Sequence, residues 1–146
     1  MIWYPSKGRV VYNPDGWIVL EVSNSICEYY RRWAEKLTWT KITGSLHESH
    51  VSILNGKFTD KRNHRNWQKF HNKIVDFEYS NCIEFEKQQG SSQVYYWIPV
   101  KCPFLTKIRE SLDLDPYPFW PYHLTVGCHN LAAGKSDKFK KIFEKS

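Results

Sequence analysis

Two short runs, Ser49-His50-Val51-Ser52-Ile53-Leu54 and Tyr122-His123-Leu124-Thr125-Val126-Gly127, carry the same kinds of side chain in the same order. Each places a His-x-Ser/Thr pair inside a β-branched and apolar stretch, a composition that favours a pleated, half-buried surface. Successive side chains of a strand point to opposite faces, so His50 and Ser52 share one face while Val51 and Ile53 occupy the other. His123 and Thr125 stand in the same relation to Leu124 and Val126. If the two strands lie side by side, two imidazoles and two hydroxyls converge on one cleft. That is the equipment for metal-free acid/base chemistry at a phosphodiester.

A single match of this kind carries little information. With six His in 146 residues, chance supplies roughly 0.7 His-x-Ser/Thr matches in a chain of this composition. A third match, His47-Glu48-Ser49, has a charged residue between the pair and reads as the start of a strand or a turn. The pairing of the other two gains weight because their surroundings repeat as well. Asp15 to Val22 reads as a strand, and Ser23 or Asn24 caps a helix running to about Leu37 with Ile26, Tyr30, Trp33 and Leu37 on one face. The His50 strand follows. Asn55-Gly56 then marks a turn, and Asp60 to Val75 places Trp67, Phe70 and Ile74 at helical spacing. In the second half Gln93 to Lys101 reads as a strand, Pro103 opens a helix with Leu105, Ile108 and Leu112 on one face, and the His123 strand comes next. Ser136 to Glu144 reads as a last helix. Further strands are expected at Arg9 to Tyr12 and from Phe77 to Phe85. The order strand, helix, His strand, helix thus occurs twice, which predicts an α+β fold of two similar lobes in a single domain spanning residues 1–146.

No linker or low-complexity tract divides the chain, and 17.5 kDa suffices to bury a core without staples. The apolar stretches fall far short of the ~20 residues that cross a bilayer, and MIWYPSKGR lacks the uninterrupted apolar segment of a signal peptide. A soluble cytoplasmic protein that does not engage a membrane is expected. The cysteines Cys27, Cys82, Cys102 and Cys128 show no CxxC spacing and read as buried free thiols. The net charge of +6 suggests an anionic partner, but a long duplex would demand a broader basic surface. The basic stretches Lys57 to Arg65 and Lys135 to Lys145 read either as solvated faces or as a field that draws in a phosphate-bearing ligand.

Aromatic residues make up 16% of the chain. Trp17, Trp33, Trp67 and Tyr96 occupy periodic positions and read as packing. Trp3, Tyr4 and Tyr12 near the N-terminus, and the stiff run Tyr117-Pro118-Phe119-Trp120-Pro121-Tyr122 before His123, lie where no regular element buries them. Tyr12, Trp120 and Tyr122 are the candidate ligand-binding rings, since a nucleobase stacked on such a ring gains ~1–3 kcal/mol whatever its identity.

The two His-x-Ser/Thr motifs some seventy residues apart, each on a strand of a duplicated α/β unit, resemble those of the two-histidine (2H, LigT-like) phosphoesterases. In layout the resemblance covers nearly the whole chain; in residues it rests on the two short motifs, with Ser52 standing where Thr is commoner. Within that superfamily the chain is most similar to phage anti-CBASS phosphodiesterases, which destroy the cyclic oligonucleotide signals of bacterial immunity. The resemblance implies antiparallel sheets around a central cleft, His50 and His123 as an acid/base pair, and Ser52 and Thr125 as phosphate-binding hydroxyls. It further implies no metal and no cofactor, a cyclic oligonucleotide or short RNA-like substrate, a monomer, and the host cytosol as location if the gene is a phage's. Three alternatives stand beside it. One is a 2H enzyme acting on RNA ends, a 2′,3′-cyclic phosphodiesterase or a 2′–5′ RNA ligase. Another is a nucleotide-binding sponge without chemistry, and the last is a zinc site built on His47 and His50.

Overall fold

The computed structural model describes residues 1–44, 49–87, 90 and 92–130. The elements are β1 (Trp3–Tyr12), β2 (Ile18–Glu21), α1 (Asn24–Thr38), β3 (His50–Leu54), β4 (Ile74–Ser80), β5 (Glu84–Lys87), β6 (Gln93–Lys101), α2 (Phe104–Ser111) and β7 (His123–Asn130). Strand alternation sorts the side chains into two populations. Val94, Tyr96, Ile98 and Val100 of β6 and Leu124 and Val126 of β7 are buried, and their neighbours point to the opposite face. The buried set merges with Val10, Leu20, Val51, Ile53, Val75 and Phe77, and with Leu105, Ile108 and Leu112 of α2, into one core.

Among the described residues the strands form one antiparallel seven-stranded sheet in the order β3-β2-β1-β4-β6-β5, with β7 also paired to β6. Two halves can be distinguished within it. β4 joins β6 through only Glu78↔Lys101 and Tyr79↔Val100, whereas β5 and β7 flank the rest of β6. β3 and β7, the strands that carry the two motifs, lie at the outer margins of the two halves. The sheet curls until Cα atoms of β3 and β7 come within 8 Å of each other, so it is nearly closed into a barrel. The helices pack crosswise, α1 against β7 and α2 against β3. This is an α+β domain.

The α1 helix begins where the sequence places it, with Ser23 Oγ accepting from Ser25 N at 3.3 Å. Its buried face differs from the expected one. Ile26, Cys27, Tyr30, Ala34 and Thr38 turn inward, while Trp33 (48% exposed) and Leu37 (43% exposed) turn outward. Small side chains at 34 and 38 let the helix lie close to the sheet, and a buried indole at 33 would hold it away.

The helix expected from Asp60 to Val75 does not form. Residues 61–73 instead make a series of four-residue turns closed by bonds from N of residue i+3 to O of residue i, and Gln68 (φ 70°) and Asn72 (φ 66°) adopt left-handed conformations that a helix excludes. Asn72 N donates to Val10 O and Val10 N to Lys73 O, at 2.8 and 2.9 Å, so pairing with β1 captures this segment. Trp67 and Phe70 still pack on the core, but Ile74 is 58% exposed at the start of β4. Trp3 and Tyr4 belong to β1 and not to a loose terminus. Cys27 and Cys102 are buried, Cys128 is half-buried and Cys82 is exposed, all four as free thiols, so the expectation of burial fails for Cys82. The helix expected at Ser136 to Glu144, like His47, lies outside the described residues. No helix of the described residues is long and apolar enough to cross a membrane.

Candidate active site

His50 opens β3. It is set by two contacts of its predecessor: Ser49 N donates to Asn24 Oδ1 at 2.8 Å, and Ser49 O accepts from Val22 N at 3.1 Å. In register His50 stands opposite Glu21 and Ser52 opposite Val19. Both His50 and Ser52 are half-buried, while Val51, Ile53 and Leu54 are buried.

His123 opens β7, also half-buried, and Thr125 is exposed on the same face. The register pairs Pro99 with His123 and Trp97 with Thr125. His123 Nδ1 lies 2.7 Å from the main-chain oxygen of Pro121. A carbonyl oxygen only accepts, so Nδ1 carries the proton and Nε2 is the ring atom left to exchange one. The indole of Trp97 meets the imidazole obliquely, with ring centroids 6.1 Å apart at 62°. Trp97 Nε1 in turn donates to Glu84 Oε2 at 3.0 Å.

Next to His123 the sheet and the proline-rich loop enclose a pocket of about 620 Å³, lined by Glu84, Glu86, Tyr95, Trp97, Pro99, Trp120, Pro121, Tyr122, His123 and Thr125. Its floor follows from strand alternation. Residues 84 and 86 of β5, 95, 97 and 99 of β6, and 123 and 125 of β7 are in register on one face, and the core-facing residues lie between them. Tyr122 is half-buried, its hydroxyl reaches Pro116 O at 3.4 Å, and burial pushes its phenol up to about 12. Trp120 is 58% exposed and meets Phe119 edge-to-face at 5.2 Å.

Of the sequence-predicted residues, His123, Thr125, Trp120 and Tyr122 line this pocket together. His50 and Ser52 do not line it; they lie on the margin strand β3, which approaches β7. Tyr12 is placed elsewhere. It is 3% exposed, its ring is held edge-on by Trp67 at 5.0 Å, and burial pushes its phenol up. This tyrosine is a core residue and not a ligand-binding ring, because it falls on the inward face of β1 beside Val10. The sequence reading missed Tyr95, Trp97, Pro99, Glu84 and Glu86. The alternation of β6 contained the signal, since a buried Tyr96 places Tyr95 and Trp97 on the opposite face, the face of the motif.

A family model described as 2H-SAK, the Swiss Army Knife 2H phosphoesterase domain, matches residues 20–132. That span includes both motifs and every residue of the pocket. Comparison with curated proteins and with solved structures returns no match.

Proposed function

The chain belongs to the Swiss Army Knife 2H phosphoesterase family, and on that premise we propose that it is a metal-independent phosphodiesterase that opens the 3′–5′ linkages of cyclic oligonucleotide immune signals, the anti-CBASS activity of phages. His50 and His123 act as the acid/base pair. Ser52 and Thr125 donate hydrogen bonds to the non-bridging oxygens as charge builds on the phosphoryl group. One imidazole takes the proton of the ribose 2′-hydroxyl while its oxygen bonds to phosphorus. The P–O5′ bond breaks, and the other imidazole protonates the departing 5′-oxygen. The product is a linear oligonucleotide with a 2′,3′-cyclic phosphate. Because the nucleophile is already attached to the substrate beside the phosphorus, the entropic cost of attack is low.

The observation that carries this reading is the placement of the motifs on two margin strands within 8 Å of each other, with an aromatic pocket opening at one of them. The His123 tautomer supports it, since Nδ1 is committed to Pro121 and Nε2 is left for proton exchange. The test is incubation with cyclic di- and trinucleotides, and with RNA ending in a 2′,3′-cyclic phosphate, in the presence of EDTA, with products resolved by mass. At least one cyclic oligonucleotide is expected to be linearised, and His50→Ala or His123→Ala to lose ~10²-fold or more in rate. Equal cleavage by the double variant overturns the assignment, and turnover of the RNA end alone moves the substrate to that class.

A further inference from the structure

The charge of the pocket runs against that of the chain. The protein carries +6 overall, yet among the described residues the pocket that His123 and Thr125 line contains two carboxylates, Glu84 and Glu86, and no lysine or arginine. A carboxylate close to a bound phosphate costs affinity unless it meets a hydrogen-bond donor on the same ligand. Glu84 is held in place by Trp97 Nε1 at 3.0 Å. Glu86, two residues further along β5 on the same face, makes no hydrogen bond or ion pair among the described residues. Between the acids and the motif stand Tyr95 and Trp97 of β6, and Trp120 and Tyr122 line the same pocket from the segment before His123, flat surfaces on which a planar ring can rest.

We propose that this pocket is a base-selective subsite for guanine, read by the Glu86 carboxylate. The inference rests on the phosphodiesterase reading and names the nucleotide class that reading leaves open. A carboxylate presents two acceptors and no donor. Guanine offers two adjacent donors, N1–H and the N2 amino group, that match both oxygens. Adenine and cytosine set a ring-nitrogen acceptor beside their amino donor, and uracil flanks its one N–H with two carbonyls; each of these turns an acceptor toward the carboxylate. With phosphate at Thr125 and His123, the attached base enters among the aromatic rings and brings its donor edge to β5.

The test uses binding, which needs no turnover. Wild-type protein and Glu86→Gln are titrated with 5′-GMP, 5′-AMP, 5′-CMP, 5′-UMP and phosphocholine, following tryptophan fluorescence. None of these is a phosphodiester, so the outcome is independent of whether any cyclic oligonucleotide is cleaved. Wild type is expected to bind GMP on the order of tenfold more tightly than the other nucleotides, the discrimination a bidentate base contact supplies. Glu86→Gln removes that preference, because its amide sets a donor beside its acceptor and no longer matches guanine's two donors, while AMP, whose edge that amide does match, binds at least as tightly as it does to wild type. Equal affinity for all four nucleotides, an unchanged GMP preference in Glu86→Gln, or tighter binding of phosphocholine overturns the proposal. Glu86 is exposed on a margin strand, so its amide variant retains the fold.

Discussion

Arg109 Nη1 donates a hydrogen bond of 2.8 Å to the main-chain oxygen of Ile53, three residues beyond His50, while Nε of the same guanidinium donates at 2.7 Å to Asp115 O in the segment that leads to His123. One side chain of α2 thus ties the first motif strand to the approach of the second. Arg31 of α1 makes the reciprocal contact. Its Nε donates at 2.9 Å to the oxygen of Val126, three residues beyond His123. Each helix therefore holds the motif strand of the other half at the same position relative to its histidine.

These straps predict a positioning role for Arg109. Arg109→Lys keeps the charge but loses the planar fork that reaches Ile53 and Asp115 together. It is expected to lower kcat on the order of tenfold with little change in KM, because misplacing a catalytic group by a fraction of an ångström is costly. Arg109→Ala should in addition cost ~1.5–3 kcal/mol in urea unfolding, the usual worth of a hydrogen bond to a charged group. If both variants lose stability yet retain kcat, the arginine is structural only.

Gly127 is predicted to tolerate no side chain. A Cβ there would lie 2.7 Å from Ile42 Cγ2 and 2.7 Å from Thr43 O. Thr43 and Cys128 exchange two main-chain hydrogen bonds of 2.9 Å, which fasten the 42–43 segment along β7. Gly127→Ala should force that segment outward and destabilise the fold by ~1–3 kcal/mol, the usual result of overpacking. Urea titration measures this, and an unchanged midpoint would contradict the close approach.

Acid sensitivity is expected at the loop that meets the β1–β2 turn. Arg62 brackets Asp60 with contacts of 3.0 and 2.9 Å and reaches Pro14 O at 2.8 Å. This guanidinium lowers the Asp60 carboxyl from 3.8 to about 2. The folded value lies below the unfolded one, so the contribution is complete above 3.8 and disappears as pH falls through about 2. Both side chains are about half exposed to solvent, which makes the effect small and sensitive to salt. The difference in Tm between wild type and Asp60→Asn should narrow across that window; a constant difference would assign the loop's stability to other contacts.

The parts of this molecule legible in the sequence are those where one local period decides. The alternation of His50 with Ser52 and of His123 with Thr125 fixes each pair on one face, and the core positions of β6 follow from the same rule. Segment 61–73 departs from the expected helix because, although Trp67, Phe70 and Ile74 fit a helical stripe, pairing of residues 72–74 with β1 offers the main chain a competing set of hydrogen bonds. Tyr12 departs from its expected place because it shares the inward face of β1 with Val10, so its ring joins the core. Arg31 and Arg109 left no pattern to find. Their acceptors are main-chain oxygens 95 and 56 residues away, and any residue type presents such an oxygen.

The short strand β5 bears on how copies of this chain meet one another. Margin strands invite recruitment of a further strand from a neighbouring molecule unless charge or brevity discourages it. The arginine straps and the mutual approach of β3 and β7 occupy two margins, and β5 ends the sheet with only four residues, Glu-Phe-Glu-Lys, three of them charged. The two acids facing the aromatic pocket thus also act as gatekeepers against sheet extension. Replacing them with apolar residues would leave only brevity and Lys87 to keep this margin from recruiting a further strand.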